Sequence, residues 1–234
     1  MKNKDEIRKK ILSLRNELSK HNHKYYVLSQ PTISDYEYDM MLKELEKLEA
    51  EYPEFNDPNS PTVRVGSDSD NEFIQVKHDY PMLSLGNTYN FDELRDFDKR
   101  IKRIIGEERK FKYVCELKYD GTAISIKYQN GQFFQAVTRG DGEQGDDVTE
   151  NVKTIRSVPL KLSSNDYPEN FEIRGEIIMT HEVFRKLNKE REEIGETPFA
   201  NPRNSASGTV KMKNSAEVAK RKLDAFLYYL LGEN

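Results

Sequence analysis

The spacing of apolar residues changes after Gly106, and that change limits what this chain can fold into. In the stripes before Gly106 the apolar positions recur every three or four residues, and over Phe111–Leu117 and Ile124–Tyr128 they alternate. A period of about 3.6 lines apolar side chains along one helix face, whereas a period of two lines them along one face of a strand. The chain therefore reads as α+β: a small helical module followed by an antiparallel-rich domain.

Ile7, Ile11, Leu14 and Leu18 form the first helical stripe, which leads into a cluster of His21, His23, Tyr25 and Tyr26. Pro31-Thr32-Ile33 interrupts the pattern. Ser34 with Glu37 three residues later is a capping box that starts a second helix, whose stripe is Tyr38, Met41, Leu42, Leu45 and Leu48, finished by Pro53. Residues 56–72 are rich in Asn, Asp, Pro, Ser and Gly and read as a linker. The expected units are 1–70 and 71–234. In the second unit Asn90 and Glu93 cap a helix through Leu94, Phe97, Ile101 and Ile105, which Gly106 stops. Phe111, Tyr113, Cys115 and Leu117 then predict a strand over 111–118, with Cys115 in the core and Glu116 beside Lys118 on the other face. Ile124, Ile126 and Tyr128 predict a second strand, and Asn130-Gly131 is a hairpin turn into Phe133–Thr138. A strand over 171–179 places Arg174 and Glu176 opposite Phe171, Ile173 and Ile177, and Thr180 caps a helix containing Phe184 and Leu187.

Charge and cysteine content exclude several function classes. The 37 Lys and Arg against 41 Asp and Glu give a net charge of −4, the wrong sign for a chain that holds nucleic acid by charge alone. The best candidate for a phosphate-facing strip is 200–222, where Arg203, Lys211, Lys213, Lys220, Arg221 and Lys222 face one acid, Glu217. That stretch is either a phosphate-facing strip or a solvated face. No apolar run approaches the roughly 18 residues of a membrane span. One cysteine and four scattered histidines build neither a disulfide framework nor a zinc site. The expectation is a protein of the reducing cytoplasm.

The sharpest chemical feature is Lys118-Tyr119-Asp120-Gly121 at a predicted strand end. A lysine there projects from a rigid scaffold, and its amine becomes a nucleophile when nearby cations or desolvation favour the neutral form. A carboxylate two residues on can orient the amine or help hold a divalent metal that screens phosphate charge. The alternative is an ordinary β-turn, since Asp-Gly is a common turn dipeptide. Asp35, Tyr38 and Asp39 share one helix face by their spacing, although Asp35 also favours the helix dipole and Tyr38 also belongs to the core stripe.

Six separated segments occur in one order: Asp35-Tyr36-Glu37-Tyr38-Asp39, Pro81-Met82-Leu83-Ser84-Leu85, Cys115 to Gly121, Thr138-Arg139-Gly140-Asp141-Gly142, Arg174-Gly175-Glu176 and Asn201-Pro202-Arg203-Asn204. Through them the chain resembles the N-terminal part of the bacterial NAD-dependent DNA ligases, over essentially its whole length. The lysine motif alone would fit any covalent nucleotidyltransferase, including ATP- or GTP-using ones; the N-terminal Tyr/Asp helix pair marks the NAD-using branch. The resemblance implies an ATP-grasp-like nucleotidyltransferase domain, incomplete at its C-terminus, behind a module that binds the nicotinamide mononucleotide (NMN) half of NAD. It implies that Lys118 attacks NAD and becomes adenylated, with Asp120 assisting. AMP then passes to the 5′-phosphate of nicked double-stranded DNA, and the 3′-hydroxyl displaces it, in replication and repair.

By the same resemblance Tyr25, Tyr26, Asp35, Tyr38 and Asp39 grip the NMN half, and Ser84 and Leu85 line the adenine. Glu116 meets the adenine amino group, unless it is spent on an ion pair with Lys127. Arg139 meets phosphate and ribose, Arg203 lies near the phosphates or the nick, and Glu176 touches the ribose or a magnesium ion. The cofactors implied are NAD and Mg²⁺, with Zn²⁺ only in a C-terminal region absent from this sequence. DNA would be held mainly by such absent regions, the protein would be a monomer without membrane contact, and the piece alone would seal poorly or act only as a non-catalytic nucleotide binder. One departure is Lys211, where the family commonly has arginine: the charge stays and the bidentate fork is lost.

Overall fold

A computed structural model describes residues 4–24, 32–64, 73–164 and 166–232. The N-terminal module is a helix pair, α1 (Lys4–Asn22) and α2 (Asp35–Glu51). Ile7, Ile11, Leu14 and Leu18 bury one stripe of α1 against Leu45, Tyr38, Met41, Leu42 and Leu48 of α2. The capping box forms as expected: the Ser34 hydroxyl accepts from the Glu37 N–H, and the Glu37 carboxylate accepts from the Ser34 N–H at 2.8 Å. One buried carboxylate then fastens the chain that leaves this pair. Glu49 accepts from Arg15 Nε at 2.8 Å, from the Ser60 hydroxyl at 2.7 Å and from the Thr62 hydroxyl. Burying that charge is tolerable because every neighbour is a donor.

The second unit is built on a four-stranded antiparallel sheet in the order β3-β2-β5-β6, comprising β2 (Thr122–Gln129), β3 (Gln132–Thr138), β5 (Asn170–Ile178) and β6 (Asp224–Gly232). Asn130 and Gly131 take φ of 50° and 70°, the left-handed pair that a two-residue hairpin needs to match strand twist. One face carries Ile124, Ile126, Tyr128, Phe133 and Ile177, and it packs on Val152, Ala206, Val210 and Val218. Those four come from the helices α4 (Thr149–Lys153), α6 (Pro202–Val210) and α7 (Ser215–Lys220). Tyr128 stacks on Phe171 with ring centroids 5.1 Å apart and donates its hydroxyl to Pro159 O at 2.6 Å, so its one polar atom is satisfied inside the core. The amide of Asn151 clips α4 to the end of α6 by donating to Val210 O and Met212 O. Thr180 caps α5 (His181–Glu193), and Asn90 caps α3 (Phe91–Ile105), which stops at Gly106.

The opposite face of the sheet is polar, and one chain segment crosses it. A two-stranded ribbon pairs β1 (Gln75–Lys77) with β4 (Gln144–Asp146). From there residues 78–82 run past Lys127, which pairs with Asp79 at 2.7 Å, and past Arg174, which donates to the carbonyls of Tyr80 and Pro81.

The expected strand over 111–118 does not form. No strand among the described residues offers it a ladder, and an alternating stretch without a partner buries neither its apolar face nor its backbone groups. Val114 and Leu117 are 83% and 79% exposed, and Cys115, expected in the core, is exposed too. Tyr113 turns back onto α3, with its ring 6.1 Å from Phe97 and its hydroxyl donating to Asp98 at 2.8 Å. Residues 65–72 of the expected linker lie outside the described residues. No helix among the described residues is long and apolar enough to cross a membrane.

Candidate active site

The site gathers where β5 and β2 meet the turn at Gly121. Strand register sets Glu176 opposite Ala123, with the Gly121 backbone near its carboxylate. That pairing fixes the acid next to the lysine motif. Burial pushes the Glu176 carboxyl above the usual carboxylate range, against the pull of Lys118, the Gly121 N–H, Arg203 and Arg139. Glu176 is thus the shared neighbour of three separate cations. Arg203, the second residue of α6, also reaches Asp120 Oδ1 with Nη1 at 3.2 Å. Five residues singled out in the sequence therefore converge: Lys118, Asp120, Arg139, Glu176 and Arg203.

The turn carrying Arg139 is held firmly. The Arg139 N–H donates to Ala123 O at 3.2 Å, and its carbonyl accepts from Gly142 N at 3.0 Å. Gly140 has φ of 57°, and a Cβ there would lie 1.9 Å from Gln144 O, so only glycine fits. Asp141 closes the turn by accepting from the N–H groups of Glu143 and Gln144, both at 2.9 Å, and these bonds hold its carboxyl below the usual range.

Other expected residues are placed differently. Glu116 is exposed, and the ion pair that would have spent it on Lys127 is absent, because Lys127 takes Asp79. Ser84 and Leu85 are exposed beyond Met82, whose N–H donates to Gly142 O at 2.8 Å. Tyr25, Tyr26 and the side chain of Asp35 lie outside the described residues. Asp39 is exposed on α2. Tyr38 is half-buried in the helical core, and its ring faces the Arg156 guanidinium, 5.7 Å from the ring centroid.

The basic stretch at 200–222 is not a bare strip. Lys211 pairs with Asp146 at 2.6 Å, Lys220 with Glu217 at 2.6 Å and Arg203 with Asp120, while Arg221 donates to the Thr209 hydroxyl at 3.1 Å and lies over the Phe199 ring.

Sequence reading missed an aromatic wall on β6. Tyr228 lies beside Glu176, and burial followed by that neighbouring negative charge pushes its phenol up. Phe226 stacks on Tyr119 of the lysine motif at 4.0 Å and 12°. The available signal was the β-prone run Phe226-Leu227-Tyr228-Tyr229, which has no helical period.

The raised Glu176 has a measurable consequence. The folded state holds its proton to higher pH than the unfolded chain does, so the contribution of this group to stability is greatest below its ordinary value of 4.5 and falls as pH rises through the raised value. Glu176→Gln is expected to flatten that fall in urea unfolding between roughly pH 4 and 7. Parallel slopes for the two proteins would show that this carboxyl does not titrate differently on folding.

Among the described residues no three His, Cys, Asp or Glu side chains converge as metal ligands. A magnesium ion commonly uses one or two carboxylates together with substrate phosphates, and Glu176 and Asp120 at this end of the sheet meet that modest requirement.

Comparison with known proteins agrees with the geometry. The family described as NAD-dependent DNA ligase adenylation domain matches residues 70–234, and the DNA ligase-like, N-terminal NAD+-binding domain matches residues 4–66. The chain is 63% identical to a DNA ligase of Parabacteroides distasonis and 59% identical to one of Bacteroides fragilis, each over 97% of this chain and 34% of the relative. A DNA ligase of Flavobacterium johnsoniae is 55% identical over the same share. The chain thus spans about a third of the length of the curated relatives it matches. Matched by both family models, and with its lysine motif, arginine turn and half-buried Glu176 at one end of the sheet, this chain belongs to the NAD-dependent DNA ligase family.

Proposed function

We propose that this chain carries out the adenylation step of an NAD-dependent DNA ligase, with residues 1–70 binding NAD and 71–234 forming the adenylating unit. The observation that supports it best is the convergence of Lys118 with Arg139, Arg203 and Glu176. The neutral amine of Lys118 attacks the α-phosphorus of NAD. A P–N bond forms, the bond to the bridging pyrophosphate oxygen breaks with its electron pair leaving on NMN, and the amine proton passes to solvent. Phosphoryl transfer of this kind depends on positioning and charge neutralisation, which Arg139 and Arg203 supply to the phosphates. Magnesium on those phosphates adds further neutralisation.

Glu176 orients the ribose with Tyr228 beside it, Ser84 and Leu85 flank the adenine, and Glu116 accepts from its amino group. Tyr25, Tyr26, Asp35, Tyr38 and Asp39 hold the NMN half, for which Tyr38 has to leave Arg156. In the longer protein, AMP on Lys118 passes to the 5′-phosphate of a DNA nick, and the 3′-hydroxyl displaces it.

Incubation with magnesium and NAD labelled in the adenine is expected to place label on Lys118, and labelled ATP is expected to place none. Label from ATP alone would instead select an ATP-using nucleotidyltransferase. Because residues 111–118 lack a strand partner here, this chain by itself is expected to label far more slowly than a protein of its relatives' full length and to seal no nicks.

A further inference from the structure

We propose that His78 is a positioning residue for Arg139, acting from beneath the site without touching the nucleotide; this rests on the reading that Arg139 meets the phosphates or ribose of NAD. His78 follows β1 directly and is only 6% exposed. Its backbone N–H donates to Glu143 O at 2.9 Å, and its ring Nε2 lies 3.1 Å from Arg139 O. A carbonyl oxygen can only accept, so Nε2 carries the hydrogen and the ring tautomer is set. One residue therefore ties both ends of the 139–143 turn, the backbone at the far end and the imidazole at the near end.

That tie matters because of what else holds Arg139. Its N–H is committed to Ala123 O on β2, and its carbonyl already accepts from Gly142 N. With the imidazole added, both lone pairs of that carbonyl are used and the peptide plane after Arg139 is fixed. The direction in which the Arg139 side chain leaves the backbone follows from that plane. Glycines at 140 and 142, with φ of 57° and 101°, leave the turn with little intrinsic stiffness of its own. The stiffness comes from outside, through His78 and through the Met82 N–H on Gly142 O. A buried imidazole donating to one carbonyl is a costly arrangement to keep for packing alone, since an apolar side chain would fill the same space without a polar atom to satisfy.

The test is steady-state nick sealing by the full-length protein carrying this chain, with nicked DNA saturating, reading KM for NAD separately from kcat. His78→Leu fills the space without a donor and is expected to raise KM about fivefold, the order of one net hydrogen bond. His78→Gln, which keeps an amide N–H at similar reach, is expected to stay within about twofold of the parent. Partial misfolding lowers the active fraction, which reduces kcat and leaves KM unchanged. In an Arg139→Ala background, His78→Leu is expected to add no further rise in KM, because the side chain it aims is gone. An unchanged KM in His78→Leu overturns the proposal, as does an equal rise with and without Arg139. Absence of label on Lys118 in the parent strikes the adenylation reading instead, and the two failures are told apart by that control.

Discussion

Lys118→Arg is expected to abolish adenylation, with label from NAD falling by more than about a thousandfold, while the fold and its unfolding midpoint stay where they are. The replacement keeps a positive charge at an exposed position, so any electrostatic help to bound phosphates survives. It removes the one property the chemistry needs, an amine that can be neutral and carry a lone pair, because a guanidinium stays protonated at any working pH. Glu176 would keep a cationic neighbour, so its environment changes little and serves as an internal control. Mass spectrometry of the labelled protein gives the decisive reading. Label persisting on the Lys118→Arg variant would place the nucleophile elsewhere and remove the basis of the proposed mechanism.

Gly121→Ala is expected to damage both stability and chemistry, for a reason the four-residue motif does not show. A Cβ at Gly121 would sit 2.1 Å from Ile177 O and 2.9 Å from Ile178 Cγ2. The first contact is with the backbone of β5, paired to β2 through Thr122 and Ile177, so relief requires the two strands to part at the end nearest Lys118. Overpacking of this kind costs about 1–3 kcal/mol and sometimes more, and a clash with backbone belongs at the upper end. The same displacement shifts Gly121 relative to its neighbour Glu176. Urea unfolding is therefore expected to show a clear loss of stability, together with adenylation reduced beyond what the unfolded fraction explains. Parent-like stability would mean that the strands open here at little cost.

Much of the fold was legible because local signals and global packing agree. Ser34 and Glu37, Asn90 and Glu93, and Thr180 each marked a helix start that the structure uses, and Asn130-Gly131 marked the hairpin. The face assignment of Arg174 and Glu176 against Ile173 and Ile177 was legible for the same reason, since a period of two has only two outcomes. The stretch 111–118 failed the other way. Its alternation states which side chains want burial, whereas strand formation also needs a neighbour to pair with, and periodicity carries no information about the neighbour.

The site was legible as a set of residues and illegible as a network. Lys118, Asp120, Arg139, Glu176 and Arg203 stand out as chemistry-bearing types in motifs. Tyr228 and His78 matter through contacts made across tens of residues, which no local pattern encodes. Charge counting left 200–222 open between a phosphate-facing strip and a solvated face, because it carries no information about partners distant in sequence, such as Asp146 for Lys211 and Asp120 for Arg203.

The pair between Arg203 and Asp120 has a further consequence. Both side chains are well exposed, at 55% and 71%, so their attraction is weak and easily exchanged. Asp120 nonetheless acts as a built-in anion for this arginine. On the proposed reading, a phosphate arriving at Arg203 would compete with this carboxylate for the guanidinium. Under that reading, nucleotide affinity at this position would be the difference between two anions competing for one guanidinium, and seating the phosphate would free the acid of the lysine motif.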